Sequence, residues 1–532
     1  MTLSSFLPAE YWQSLEINKR DTDFLLTHLF ELERPLTTNE LLSALMTERV
    51  RLEKEAILKK RKGSGKIYIP KKHYSVGEEL AFPALNWQKG EVLSVRAGRN
   101  PEIEEFEVMI VAMEDGSEAL FAMGLDEHDL NVEGGMGNID GEVDLDALMD
   151  NFGDELEPRL ATVLRTGGEL VDIAGRWFPR ALLVDVNIGH LNLAEAIIDM
   201  AEGEPLETAV LMKDIDFPQG DNPSLTEFSL NFALKEDARF DEVGSTGKVL
   251  WCLERLEPEA VREVPAMLRY TPMDLDRTTL SEEMLALEAR LDDELSKIHV
   301  SEAPPKKVTV SLLYPHWRLG TFPISERVRP FFPSAFESPR IRFTLVDGES
   351  GKKMPAWVIK NNSYVYGLKE WYEDKELIPG SLIDIRQGKA PGEVIIQAQT
   401  HRGKRDWVRT AIAGSDGGLI FATLKHVISA KFDDRMVLAI PDTEALDNAW
   451  EITQKSGQEF ETVVQNVMRE LTKLNPQGHV HAQELYSALN ILKRCPPAPL
   501  FSLLATRPWA EHVGDLYFHL NDETTTTAEE EV

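Results

Sequence analysis

The chain has 532 residues, of which 42% are hydrophobic and 28% charged, and a formal net charge of −33. That length accommodates several domains with their own cores, and that balance is ordinary for a globular chain. The charge excludes a general nucleic-acid coat, because phosphate is repelled at long range. No run of eighteen apolar residues offers a membrane span, and MTLSSFLPAEYWQSLEINKR lacks the basic start and apolar run of a secretory signal. The charge is uneven: residues 100–158 contain no Lys or Arg, whereas residues 304–435 hold 21 Lys and Arg against 14 Asp and Glu. Cys252 and Cys495 lie far apart beside apolar segments and read as two reduced thiols, which with the missing signal predicts a cytoplasmic protein.

In chain order, residues 1–76 read as a winged-helix-like N-terminal domain. Phe24, Leu25, Leu29 and Phe30 recur at helical spacing, Thr37 or Thr38 caps the next helix, and KKRKGSGKIYIPKKHY supplies a turn, a short strand and a basic run. That run holds Lys59, Lys60, Arg61, Lys62, Lys66, Lys71 and Lys72; the alternative is a solvated helix end and wing. Residues 77–124 alternate apolar and polar over strand lengths, the pattern of an SH3-like small barrel. Residues 125–158 are Gly-, Asp- and Glu-rich and are expected to be an acidic linker. With Gly141 at the sixth position of a calcium loop, Asn138 and Asp140 fit, but Met136 and Ala147 stand at the first and twelfth positions, where oxygen ligands are needed.

Residues 159–270 are expected to form the central domain, with 160–186 as its N-terminal extension. Leu193, Ala196, Ile197, Met200 and Ala201 mark a helix; Leu225, Phe228 and Phe232 mark another; RFDEVGSTGKVLWCL reads as two strands around a Gly-Ser-Thr-Gly turn. The ending LKEDARFDEVGSTGKVLWCL resembles the HARE-HTH family of winged-helix domains, of the RNA polymerase delta type. The resemblance implies a winged helix that faces DNA or docks on protein. Residues 271–305 read as a charged helix and linker.

Residues 306–400 carry six strand-like runs separated by Gly, Pro, Asp and Asn. Phe332-Pro333, Asp347 with Gly351 and Trp357, Tyr366-Gly367-Leu368 with Trp371-Tyr372, and Leu377 with Gly380 resemble the pseudobarrel DNA-binding domains of plant auxin-response factors and of the EcoRII restriction enzyme. Glu370 and Ser381 depart from that pattern, where Gly and Asp are expected. The resemblance implies base contact from two loops, with Arg340, Arg342, Lys352, Lys353 and Lys360 as the nearest candidates; the alternative is a barrel whose lysines keep it soluble. Residues 401–455 form a basic β extension in which Arg402, Lys404, Arg405 and Arg409 surround Trp407. This suits phosphates and a stacked base, or else a salt-bridge patch around a buried Trp. Residues 456–521 repeat the central pattern as a C-terminal winged helix, LFSLLATRPWAEHVGDLYFHL matching the central ending in its helix, Arg, aromatic, Val-Gly turn and last strand. Residues 522–532 are expected to be a disordered acidic tail.

The expected fold class is thus α+β and multi-domain, with repeated winged helices, an SH3-like small barrel and a β-pseudobarrel. No catalytic residue, metal ligand or cofactor is expected. Gly244 to Lys248 has two residues where a phosphate loop needs four, Gly414 to Gly418 is no nucleophile elbow, and His479 with His481 lacks further ligands and reads as exposed. The function expected is a non-enzymatic, bacterial-type, DNA-associated protein of transcription or another DNA transaction, with DNA and RNA polymerase or another protein as candidate partners and neither a membrane nor a small-molecule substrate. The alternative is a protein-interaction scaffold, or an adaptor that mimics nucleic acid without binding DNA.

Overall fold

A computed structural model describes residues 7, 9–63, 65–85, 87–99, 106–128, 130–131, 144–217, 222–273, 275–296, 306–335, 338–388, 390, 392–414 and 417–521; the side chains at 57, 60–63 and 84 lie outside that description. Helices make up 41% and strands 27%, in several sheets that include a curled half-barrel, so the protein is a multi-domain α+β chain. Two compact units are formed, one by 1–185 with 219–232 and the other by 186–218 with 233–532.

In the first unit, α1 (Ala9–Gln13) carries the buried Trp12. Helix α2 (Lys19–Leu32) begins at Asn18, whose side chain accepts from the Arg20 amide while Asp21 accepts from the Asn18 amide. Its Leu25 and Leu29, one turn apart, are fully buried. A short β1 (Leu36–Thr37) leads into α3 (Thr38–Gly63). The chain then leaves for a five-stranded sheet of β2 (Lys66–Ile67), β3 (Glu79–Phe82), β4 (Gln88–Ala97), β5 (Glu107–Met113) and β6 (Glu118–Met123), paired in that order around Phe82, Val92, Met109 and Val111. It returns in α4 (Leu145–Gly167), β7 (Leu170–Ile173) and β8 (Arg176–Pro179). The sheet runs β1-β8-β7, and Trp177 on β8 is buried with its Nε1 donating to Thr38 Oγ1 at 2.9 Å.

The first winged helix is therefore split, with the small barrel inserted between its second and third helices. This departs from the expected 1–76 domain. Lys59 lies within α3, Lys66–Ile67 pairs in parallel with Leu80–Ala81 as the barrel's edge, and the wing is the 170–179 hairpin. The expected acidic linker also differs. From Leu145 onward it is the start of α4, capped by Asp144, and Leu148, Phe152, Leu156, Leu160 and Leu164 form a buried stripe every fourth residue. Residues 132–143, and with them most of the tested calcium loop, lie outside the described residues, as does the tail from 522.

The second repeat comprises α5 (Ile188–Met200), β9 (Leu206–Glu207), α6 (Thr208–Asp214), α7 (Pro223–Glu236), β10 (Phe240–Glu242) and β11 (Leu250–Leu253), with sheet order β10-β11-β9. Phe240 and Trp251 are both buried. In the second unit there follow α8 (Glu259–Arg262), α9 (Glu282–Leu291) and a curled sheet. Its members are β12 (Val308–Ser311), β13 (Thr321–Pro323) after α10 (Tyr314–Leu319), β14 (Arg340–Asp347), β15 (Lys353–Ile359), β16 (Tyr364–Tyr366), and, after α11 (Lys369–Asp374), β17 (Leu382–Gln387) and β18 (Glu393–Ala398). The order is β12-β17-β18-β14-β15-β16-β13, antiparallel except for β14 beside β18. Strict alternation along β14 puts Ile341, Phe343 and Leu345 into the core and Arg340 and Arg342 on the other face.

A long hairpin follows, β19 (Thr400–Ala413) and β20 (Leu419–Ala430), then α12 (Thr443–Ser456). The third repeat is α13 (Phe460–Thr472), β21 (His479–His481), α14 (Ala482–Leu492), α15 (Pro497–Thr506), β22 (Ala510–Gly514) and β23 (Tyr517–Leu520). Its sheet runs β21-β23-β22, the same first-third-second order as β1-β8-β7 and β9-β11-β10. No described helix is long and apolar enough to cross a membrane.

Candidate nucleic-acid interface

Directly opposed residues of an antiparallel pair share a face, and Trp407 lies opposite Lys425, Arg405 opposite Val427, and Ala411 opposite Phe421. Near the turn this face is buried: Ala411, Leu419 and Phe421 join the core of the third winged helix. Away from the turn the same face emerges. Trp407 is 65% exposed and Val427 68%. Arg405 and Lys425 are exposed beside them on this face, Lys404, opposite Ile428, is exposed on the reverse face, and Arg402 is exposed at the ribbon's register shift. The Lys425 Nζ sits 5.3 Å from the Trp407 ring centroid, and Lys404 pairs with Asp406 at 2.8 Å. On the reverse face Val408 and Ile428 pack against Val437 and Ala439, and Ala430 at the far end is buried in the core of the curled sheet, so the ribbon is held at both ends and the Trp407 face between them stands in water. A buried Trp at the centre of a salt-bridge patch is not what forms here.

Arg409 is brought inward instead. Its Nη2 donates to Glu484 Oε1 (2.9 Å) and its Nη1 to the Arg435 carbonyl (3.1 Å), and burial pushes its pKa down. The 340–360 candidates are dispersed. Arg340 pairs with Asp241 (2.6 Å) and Glu257 (3.2 Å). Arg342 lies 5.1 Å from the Trp357 ring and 3.4 Å from Glu204; burial again lowers its pKa. Beside them Val243 and Cys252 of the second wing pack against Trp357, Ile359 and Tyr364, the Arg342 amide donates to the Val243 carbonyl (2.8 Å), and the Thr246 amide to the Ser334 carbonyl (2.7 Å). Burial pushes the Cys252 thiol up to about 11. This wing is used to seat the curled sheet. Lys352 faces Asp374 at 3.9 Å, Lys353 pairs with Glu393, and Lys360 Nζ donates to the Ala335 carbonyl (2.9 Å).

Of the first island, Lys59 is exposed on α3, and the side chains of Lys60, Arg61 and Lys62 lie outside the described residues. Lys66 pairs with Glu78 (2.9 Å) beside the Tyr74 ring, Lys71 with Asp126 (3.1 Å), and Lys72 is exposed. His481, expected on the surface, is buried: its Nδ1 accepts from the Gln483 amide as the cap of α14, and burial together with Arg435 and Arg290 lowers its pKa to about 4. No group of three or more His, Cys, Asp or Glu poised to hold a metal occurs among the described residues.

The ribbon thus gathers Arg402, Lys404 and Arg405 with a residue that the sequence pattern did not single out, Lys425. The signal was available: two strand-like runs on either side of GSDGG place Lys425 across from Trp407 once they pair as a hairpin. Comparison with known protein families, with curated proteins and with solved structures finds no match for this chain.

Proposed function

We propose that this is a non-enzymatic, DNA-associated protein of transcription or another DNA transaction, whose nucleic-acid contact is local and centred on the β19–β20 ribbon. The observation that carries the reading is the solvent-exposed Trp407 with Arg405 and Lys425 on its own face, and Arg402 and Lys404 exposed on the same ribbon, in a chain that is otherwise strongly acidic. Each phosphate that these cations neutralise releases a counterion. The HARE-HTH resemblance of the central repeat adds RNA polymerase or another protein of the same transaction as a partner. Replacing Arg402, Lys404, Arg405 and Lys425 with Ala should weaken binding of random duplex DNA in a gel shift and lower the slope of log affinity against log salt by roughly 0.9 for each phosphate no longer neutralised. Folding should be unaffected, because exposed charges contribute little stability. Absence of binding even at low salt, or an unchanged slope in the variant, refutes the reading.

A scaffold function has its own support in the ribbon's apolar side chains, with Val427 68% and Leu424 40% exposed. It forecasts no DNA binding at any salt, and a protein partner whose retention is abolished when Val427 and Leu424 become Ser.

A further inference from the structure

We propose that the cleft between the ribbon and the third winged helix takes one unstacked base of a single-stranded nucleic acid. The inference rests on the DNA-associated reading above and specifies what the ribbon's tryptophan does. The cleft measures about 510 Å³, within the range of small-ligand sites. Trp407 and Thr423 line it from the ribbon, Asn475 and Pro476 from the turn after α13, His479 from β21 and Tyr517 from β23.

Three features suit a base better than a peptide side chain. First, two aromatic rings line the cleft, each with a cation beside it: Lys425 Nζ is 5.3 Å from the Trp407 centroid, and the Arg435 guanidinium carbon 5.7 Å from that of Tyr517. Bases stack on such rings regardless of sequence, and the cations favour both the stacking and the adjoining phosphates. Second, the interior is polar without a strong net charge. Arg409 and Glu484, which line it, neutralise one another at 2.9 Å, leaving Asp434 as the exposed carboxylate among the lining residues. Asp434 accepts hydrogen bonds and Asn475 can donate and accept them, as the edge of a base requires. Third, the exposed Arg405 stands two residues before Trp407 on the same strand face, so the backbone has a cation to follow as the base turns inward. Paired bases present their edges inside a duplex and their faces to neighbouring bases; entry here costs a duplex several kcal/mol of unpairing and costs a single strand far less.

The test uses the full chain, fluorescence anisotropy, and three labelled probes at equal salt: an oligothymidine of about 12 nucleotides, within the span that single-strand sites cover, the same strand with abasic sites, and a duplex of the same length. The thymidine strand should bind at least about tenfold tighter than the abasic strand and tighter than the duplex. Trp407→Ala should weaken binding of the thymidine strand roughly 5- to 150-fold with an unchanged salt slope, and Trp407→Phe should restore most of it. Trp407 is largely exposed, so neither variant endangers folding. Equal affinity for the abasic strand, a duplex bound as tightly as the single strand, or an undiminished Trp407→Ala variant overturns the proposal. In each of those cases the four-charge variant still reports separately on the phosphate contact. No binding of any of the three probes at low salt removes both readings at once.

Discussion

Glu257→Gln should stabilise the junction between the second wing and the curled sheet at pH 8 and flatten its pH dependence. Glu257 is 3% exposed and shares the guanidinium of Arg340 with Asp241, so two carboxylates face one cation. Burial, reinforced by the charge of Asp241, pushes Glu257 up to about 8 from an ordinary 4.5, and burial raises Asp241 as well. An unfolded Glu257 releases its proton near 4.5 while the folded one keeps it until about 8. The native state thus holds more protons in that window, and stability present below it is lost as pH rises through it. At 1.36 kcal/mol per pKa unit the whole shift corresponds to about 5 kcal/mol, a figure that belongs to the pair of carboxylates, which titrate together, and not to Glu257 alone. Gln keeps the shape and a carbonyl acceptor for Arg340 without the charge. Amide hydrogen exchange over 240–257 and 340–347, corrected for the intrinsic rate, reads the junction locally and needs no two-state unfolding of a multi-domain chain. Protection in the parent protein should fall from pH 5 to pH 8 and stay nearly level in the variant. Equal slopes in the two proteins, or protection that increases with pH in the parent, would refute the shared-proton argument.

Other substitutions probe the buried framework. Trp251→Ala removes a side chain with no exposed area and should cost roughly 3–5 kcal/mol, seen as early loss of exchange protection in β10 and β11. Arg494→Met removes the guanidinium that lies 2.7 Å from both Asp293 and Glu294, leaving Asp293 to the Tyr486 hydroxyl and Glu294 to His316, and should cost about 3–5 kcal/mol. Adding Asp293→Asn should return part of it, and a double variant as unstable as the single one would show that charge is not the cause.

Where signals are local, sequence and structure agree. The second wing and the third repeat each bring a helix, a turn and an aromatic strand within a few tens of residues, and Phe240 and Trp251 are in the core as their spacing suggests. The first winged helix departs from its sequence pattern because its wing is remote from its second helix, while IYIP offers a nearer strand that belongs to the barrel. The α4 stripe from Leu148 to Leu164 is present at four-residue spacing but sits among Asp, Glu and Gly, whose composition suggests a linker. For the basic candidates, residue type identifies cations but not their partners. Arg340 meets Asp241 and Glu257, and Arg409 meets Glu484, through pairings that tertiary folding alone creates.

The insertion of the small barrel has a consequence for the order of synthesis. The stretch 64–144 separates α3 from α4, so a nascent chain must carry α2 and α3 without their third helix while the whole barrel is made. At roughly 5–20 residues per second that interval lasts about 4–16 s, comparable with or longer than the microseconds to seconds in which small domains fold. The barrel, whose antiparallel strands are mostly joined to their sequence neighbours, can therefore close first. The stripe of Leu41, Leu42, Leu45 and Met46 on α3 waits for Leu156 and Leu160 to emerge. During that wait α3 has only the earlier part of its cluster, Trp12, Leu25 and Leu29, to pack against.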